Sequence, residues 1–288
     1  EIKSKSKLFS DSANAYGMAT NTSVNVIDLG YPGTLPTLNK EVIRQALRAC
    51  KVLNCDITRK MHFDRKNYFY PDNSKNYQIT QNRTPIGTNG YVEIEVDGVK
   101  KKIGISDIHI EEDTCKSAHR GSVSLLDFNR AGVPLIEIVT TPSISNGKEA
   151  MAYLTKLKEM LFYANISDCK MEEGSMRCDA NVSISKTDVL GVRTETKNIG
   201  SIHNVGLAIE KEIERQEKVL ETGGIIREET RRFDDKLGET ILMRVKETGN
   251  DYRYFIEPDI PYLELTDEFI NDSLKTLPLL PDELREKY

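Results

Sequence analysis

The sequence predicts an α+β domain, a mainly antiparallel sheet with helices packed behind it. Asp97-Gly98 is a strong hairpin signal between two runs of strand character. Three other segments carry apolar residues at helical spacing. Hairpins followed by long helices fit this class better than a parallel sheet does.

Taken in order, Asn39 can cap a helix to about Leu53, because Val42, Ile43, Ala46, Leu47 and Cys50 recur at helical spacing. Tyr91 to Val96 turns at Asp97-Gly98 and returns towards Ile110. Leu135 to Val139 is the next strand. A helix from about Lys148 to Ala164 then turns Met151, Leu154, Leu157 and Leu161 inward. Ala180 to Ile184, Arg193 to Lys197 and Ile241 to Lys246 are further strands. A third helix lies near Val205 to Leu220, with Ile209, Ile213 and Leu220 on its apolar side and Gly223-Gly224 as its stop. Thr266 to Tyr288, with Pro278 and Pro281, reads as a short helix leading into a connector. The expected division is therefore 1–265 for the main unit and 266–288 for the start of the connector.

An apolar fraction of 38% with 30% charged residues over 288 positions suits a globular protein with a real core. A net charge of −5 requires any nucleic-acid partner to be gripped by a local patch. Five cysteines without a CxxC pair support neither a disulfide framework nor a zinc ribbon, so a reducing, cytoplasmic setting is expected. No stretch approaches the roughly 18 apolar residues of a membrane span. The chain opens at Glu1 without a methionine, which suggests that the start of a longer chain is missing.

The run Asp64-Arg65-Lys66-Asn67-Tyr68-Phe69-Tyr70-Pro71-Asp72 crowds cations, rings and a proline that cannot all be buried. Asp251-Tyr252-Arg253-Tyr254-Phe255 is of the same kind. Glu111-Glu112-Asp113 follows strand-like Ile103 to Ile110, so the carboxylates must divide between the two sides of the pleat. Either this is a solvated acidic turn, or mutual repulsion is relieved by a hard cation such as Mg²⁺ beside His109, Lys116 and His119. By themselves the two histidines are more often structural than ligating.

Glu195 and Lys197 share one strand face, and Arg177, Asp179 and Asn181 share another. A row of Arg, Asp and Asn on one side of a sheet is costly unless it lines a polar cleft. Arg244 and Lys246 also share a face, and arginine forks suit phosphate oxygens. No GxxxxGK[ST] or GxGxxG element is present, so a phosphate cradle would have to be a sheet surface.

Several runs resemble the B subunits (GatB) of the bacterial and organellar tRNA-dependent amidotransferases. They are Tyr31-Pro32-Gly33-Thr34-Leu35-Pro36, Phe63 to Asp72, Tyr77-Gln78-Ile79, His109 to Asp113, Asn129 to Val139, Met171 to Asn181, Glu229-Thr230-Arg231-Arg232 and Asp251 to Phe255. They cover nearly the whole chain in order. The resemblance implies a catalytic cradle similar to the glutamine synthetase and guanidino-kinase catalytic domains. It also implies a reaction: ATP and Mg²⁺ phosphorylate the side-chain carboxylate of Glu-tRNA or Asp-tRNA, and ammonia from a partner glutaminase displaces the phosphate. The implied partners are the amidase (glutaminase) and the small third member of the GatCAB heterotrimer, together with the mischarged tRNA and no membrane.

By the same resemblance, Glu111, Glu112 and Glu195 are expected to hold the metal and, with Arg177, to be catalytic. Lys75, Lys116, Asn181, Lys197, Arg244 and Arg253 are expected to bind ATP. The resemblance implies that the family's Glu-x-His element in the first strand and its C-terminal helical and tail regions are expected outside these residues. Thr114-Cys115 stands where the family has Ala-Gly; a glycine needed there for positive φ or for close approach of a phosphate would make Cys115 a source of crowding. A catalytically altered paralog that binds tRNA or a partner is one alternative, and a stand-alone ATP-dependent carboxylate–amine ligase for a small substrate is another.

Overall fold

The computed structural model describes residues 1–245 and 251–287. Its first third contains α1 (Lys40–Val52), β1 (Asp56–Ile57), β2 (Lys60–Met61), β3 (Asp64–Asn67), β4 (Tyr77–Thr80), β5 (Gly87–Val96) and β6 (Val99–Glu112). Next come β7 (Lys116–Arg120), β8 (Val123–Asp127), β9 (Pro134–Thr140), α2 (Gly147–Tyr163), β10 (Ala180–Val182) and β11 (Thr194–Lys197). The remainder is α3 (Ile202–Glu221), β12 (Glu229–Asp234), β13 (Glu239–Val245), β14 (Phe255–Ile256), β15 (Leu263–Glu264), α4 (Asp267–Leu274) and α5 (Pro281–Lys287).

The α+β class holds, and two four-stranded sheets, β1-β5-β6-β9 and β10-β11-β12-β13, carry the architecture. Asp97 and Gly98 both have positive φ, 52° and 79°, as the tightest hairpin turn requires, and Val96 pairs with Val99 across it. Asn39 caps α1 by accepting from Glu41 N at 3.0 Å, and Val42, Ile43, Ala46, Leu47 and Cys50 are buried as the spacing predicts. Asn146 caps α2, whose Leu154, Leu157 and Leu161 pack behind β5. Met151, expected inward, is only partly buried and fills the space beside Gly206 of α3.

The largest departure is in α3. Ile209, Ile213 and Leu220 are only partly buried, Ile209 packing against the core, while the buried positions include Val205, Ala208, Glu212 and Gln216. Two of those four are polar and wholly buried, which a count of apolar residues cannot anticipate. The helix stops as expected, with Gly223 at φ 78°. Because β11 and β12 run parallel, they need a long crossover, and α3 is that crossover. β12 and the hairpin β7–β8 are elements that apolar patterning alone did not mark.

In the stretch expected as a short helix leading into a connector, α4 is that helix, and both it and α5 touch the domain. Arg44 Nη1 meets Asp272 Oδ2 at 2.5 Å, Arg48 donates to Ser273 O at 2.9 Å, and Arg285 reaches Glu159 at 2.9 Å. Among the described residues no helix is long and apolar enough to cross a membrane.

Candidate active site

β6 sets the geometry. A bulge between Ile105 and Asp107 inserts Ser106, so Ile103, Ile105, Ile108 and Ile110 all remain on the core face despite the change of parity. Asp107, His109 and Glu111 therefore share the opposite face. Glu137 of β9 pairs across from His109 on that face, in the middle of an otherwise apolar run.

The side chains converge. His109 Nδ1 lies 3.0 Å from Asp107 Oδ1, and Nε2 lies 3.2 Å from Glu137 Oε2. One ligand atom from each of His109, Glu111 and Glu137 falls within 4.8 Å of the others. Burial alone would lower the His109 pKa, but its hydrogen bonds to Asp107 and Glu137 outweigh this and lift it to about 9. Burial, and then the Glu137 charge, push Glu111 upward, whereas the His109 hydrogen bond holds Glu137 below the usual carboxylate range. A divalent cation that displaces the Nε2 proton shared with Glu137 can take two carboxylates and an imidazole here as its donors.

The expected pairing of Glu111 with Glu112 divides here, because neighbours in a strand point to opposite faces. Glu112 is buried against the Lys75 ammonium, and its Oε1 also accepts from Ile79 N at 3.0 Å. Gln78 Nε2 donates to its carbonyl at 2.6 Å. The structure thus joins Glu112 to Lys75, one of the residues expected at ATP, and joins Glu111 to His109 and Glu137. The pleat was legible in advance; the cross-strand partner was not.

Arg177 Nη2 holds Asp113 Oδ2 at 2.9 Å, Arg130 shares that carboxylate at 3.2 Å, and the Glu111 charge also acts on Arg177. Glu195 lies not in the three-residue cluster but on the second sheet. There the register places Asn181, Glu195, Thr230 and Arg244 in one row across β10, β11, β12 and β13. Thr230 donates to Glu195 Oε2 at 3.4 Å, and Lys197 bridges Glu195 at 3.1 Å and Asp179 at 2.8 Å. Arg244 is exposed at the end of this row, and its expected face-mate Lys246 falls outside the described residues.

A model of the GatB/GatE catalytic domain matches residues 1–271. The chain belongs to this family. Relatives named as the B subunit of aspartyl/glutamyl-tRNA(Asn/Gln) amidotransferase share its whole length. The protein of Geobacillus kaustophilus is 55% identical over 291 residues, and that of Ligilactobacillus salivarius 55% over 292. That of Bacillus cereus strain B4264 is 53% identical over 290 residues. The chain covers 61% of the length of each of these relatives.

In this GatB/GatE domain the aromatic runs do stand at the surface, with Phe69 86% exposed and Lys66 Nζ 4.7 Å from the Tyr252 ring centre. Arg65 is instead drawn inward, bidentate to the buried Glu257 at 2.6 and 3.0 Å. Arg253 is exposed and pairs with Asp251 at 3.6 Å, and Lys116 sits exposed on the β7–β8 hairpin opposite Asp127. Neither is drawn to the cluster. Cys115 is buried without positive φ, its N–H bonded to Asp72 O at 3.0 Å, so it fits its backbone without strain. Burial raises all five thiols above their ordinary pKa, Cys55 and Cys178 to about 12.

Proposed function

We propose that this domain is the carboxylate-activating part of the B subunit of an ATP-dependent, tRNA-dependent amidotransferase. It phosphorylates the side chain of Glu-tRNA(Gln), Asp-tRNA(Asn) or both, and a partner amidase, joined by the small third member of a GatCAB heterotrimer, supplies ammonia. Residues 1–265 form the catalytic unit, and 266–288 begin the connector that follows it. The observation that carries this reading is the convergence of His109, Glu111 and Glu137 on one sheet face, with Arg177 beside them. The names borne by the relatives support the choice of substrate.

In this reading His109, Glu111 and Glu137 hold Mg²⁺. The bound cation supplies charge that offsets the negative oxygens of the transferring phosphoryl group. Arg177 and Lys197, each anchored by an acidic partner, are oriented cations for phosphate oxygens and for the aminoacyl carboxylate. Asn181, Glu195 and Arg244, in one row on the second sheet, supply further polar groups for ATP in this reading. Glu112 and Lys75 support the metal site from the far side of β6.

Transfer of ³²P from ATP to each mischarged tRNA, in the full-length protein assembled with its partners, tests this. Glu111→Gln and Glu137→Gln should each reduce transfer by about 100-fold, with tRNA affinity nearly intact. Preserved transfer in both variants would refute the assignment.

A further inference from the structure

The polar underside of the second sheet has no part in the reading above, although its geometry is more specific than packing demands. Glu212 of α3 is fully buried. Its carboxylate accepts from Thr194 Oγ1 of β11 at 2.7 Å and from Thr240 Oγ1 of β13 at 2.7 Å, and pairs with Arg231 Nε of β12 at 3.4 Å. One turn on, Gln216 donates to Val182 O of β10 at 3.0 Å and accepts from Ile184 N at 3.2 Å. Arg231 closes the ring by donating to Thr240 Oγ1 and O at 3.0 and 2.8 Å. Two side chains of one helix therefore reach all four strands.

Each strand fixed from below carries one member of the row above. Val182 adjoins Asn181, Thr194 adjoins Glu195, Arg231 adjoins Thr230 across a bulge, and Thr240 shares β13 with Arg244. An apolar helix face would stabilise the sheet equally well but would let strands shift along it, because hydrophobic contact is not directional. Hydrogen bonds to a charged group are directional and strong, and a buried ionic hub is better suited to specifying an arrangement than to adding stability.

We propose that Glu212 and Gln216 are positioning residues that hold Asn181, Glu195, Thr230 and Arg244 in register for phosphate binding. This rests on the reading of that row as part of the ATP site. The test measures kcat and the KM for ATP in the full-length protein with its partners, at a temperature where circular dichroism shows each variant fully folded. Glu212→Gln and Thr194→Val should raise the KM for ATP by about tenfold or more through misplacement of the row, while Thr194→Ser, which keeps the hydroxyl, should match wild type. Folded variants with wild-type kcat and KM would overturn the proposal and leave the hub purely structural. Should Glu212→Gln fail to fold, the Thr194 pair decides. Glu195→Gln separates the two levels: full activity in that variant overturns the site and the proposal with it, whereas impairment there beside a normal Thr194→Val overturns the positioning role alone.

Discussion

His109 and Glu137 face each other across β6 and β9, Nε2 to Oε2 at 3.2 Å, although they stand 28 positions apart in the chain. Glu111, two positions along β6, completes a three-donor group with them. The imidazole is held at its other nitrogen by Asp107, the second hydrogen bond that orients a ligating histidine.

Divalent-ion binding should follow this geometry. Mn²⁺ titrated into the domain should broaden the His109 ring resonances, and Glu137→Gln should weaken the apparent affinity by about tenfold or more. Unchanged affinity would remove Glu137 from the donor set.

The two adjacent glutamates should differ in kind. Glu112→Gln leaves the Lys75 ammonium without its buried partner and should cost about 3–5 kcal/mol of stability, whereas Glu111→Gln relieves repulsion with Glu137 and should leave the urea midpoint nearly unmoved. Equal losses in the two variants would contradict the division of the pair.

Gly90 admits no side chain. A Cβ there would stand 2.6 Å from Leu53 O, so Gly90→Ala forces α1 and β5 apart and should destabilise the domain by about 1–3 kcal/mol in chemical denaturation.

Acid should dissolve the hub beneath the second sheet. Burial alone would raise the Glu212 pKa, but hydrogen bonds from Arg215, Gln216, Thr194 and Thr240 bring it from 4.5 to about 2. A depressed carboxyl contributes stability that is complete above pH 4.5 and is lost as pH falls through about 2. The Tm gap between wild type and Glu212→Gln should therefore be widest near neutrality and shrink below pH 4.5. A gap constant from pH 7 to pH 3 would show that the charge of Glu212 carries none of it.

Ammonia should come from a partner. With every thiol raised above its ordinary pKa by burial, none is an activated nucleophile, and the full-length protein on its own should not hydrolyse glutamine in an ammonia-release assay. Release at the rate of the assembled complex would disprove this.

What the sequence determined by itself is local. The Asn39 cap, the Asp97-Gly98 turn, the inward faces of α1 and α2, and the parity that turns Glu111 away from Glu112 are written within a few residues of each feature, because capping, turn chemistry and pleat act over that range. The partners were decided by tertiary structure. Glu137 meets His109 only through the β6–β9 register and the bulge at Ser106, and Lys75 meets Glu112 only because β4 brings Gln78 and Ile79 alongside the end of β6. The α3 face was misjudged for the same reason. Apolar periodicity assumes that what is buried is apolar, and Glu212 is buried because Thr194, Arg231 and Thr240 arrive from three different strands to satisfy it.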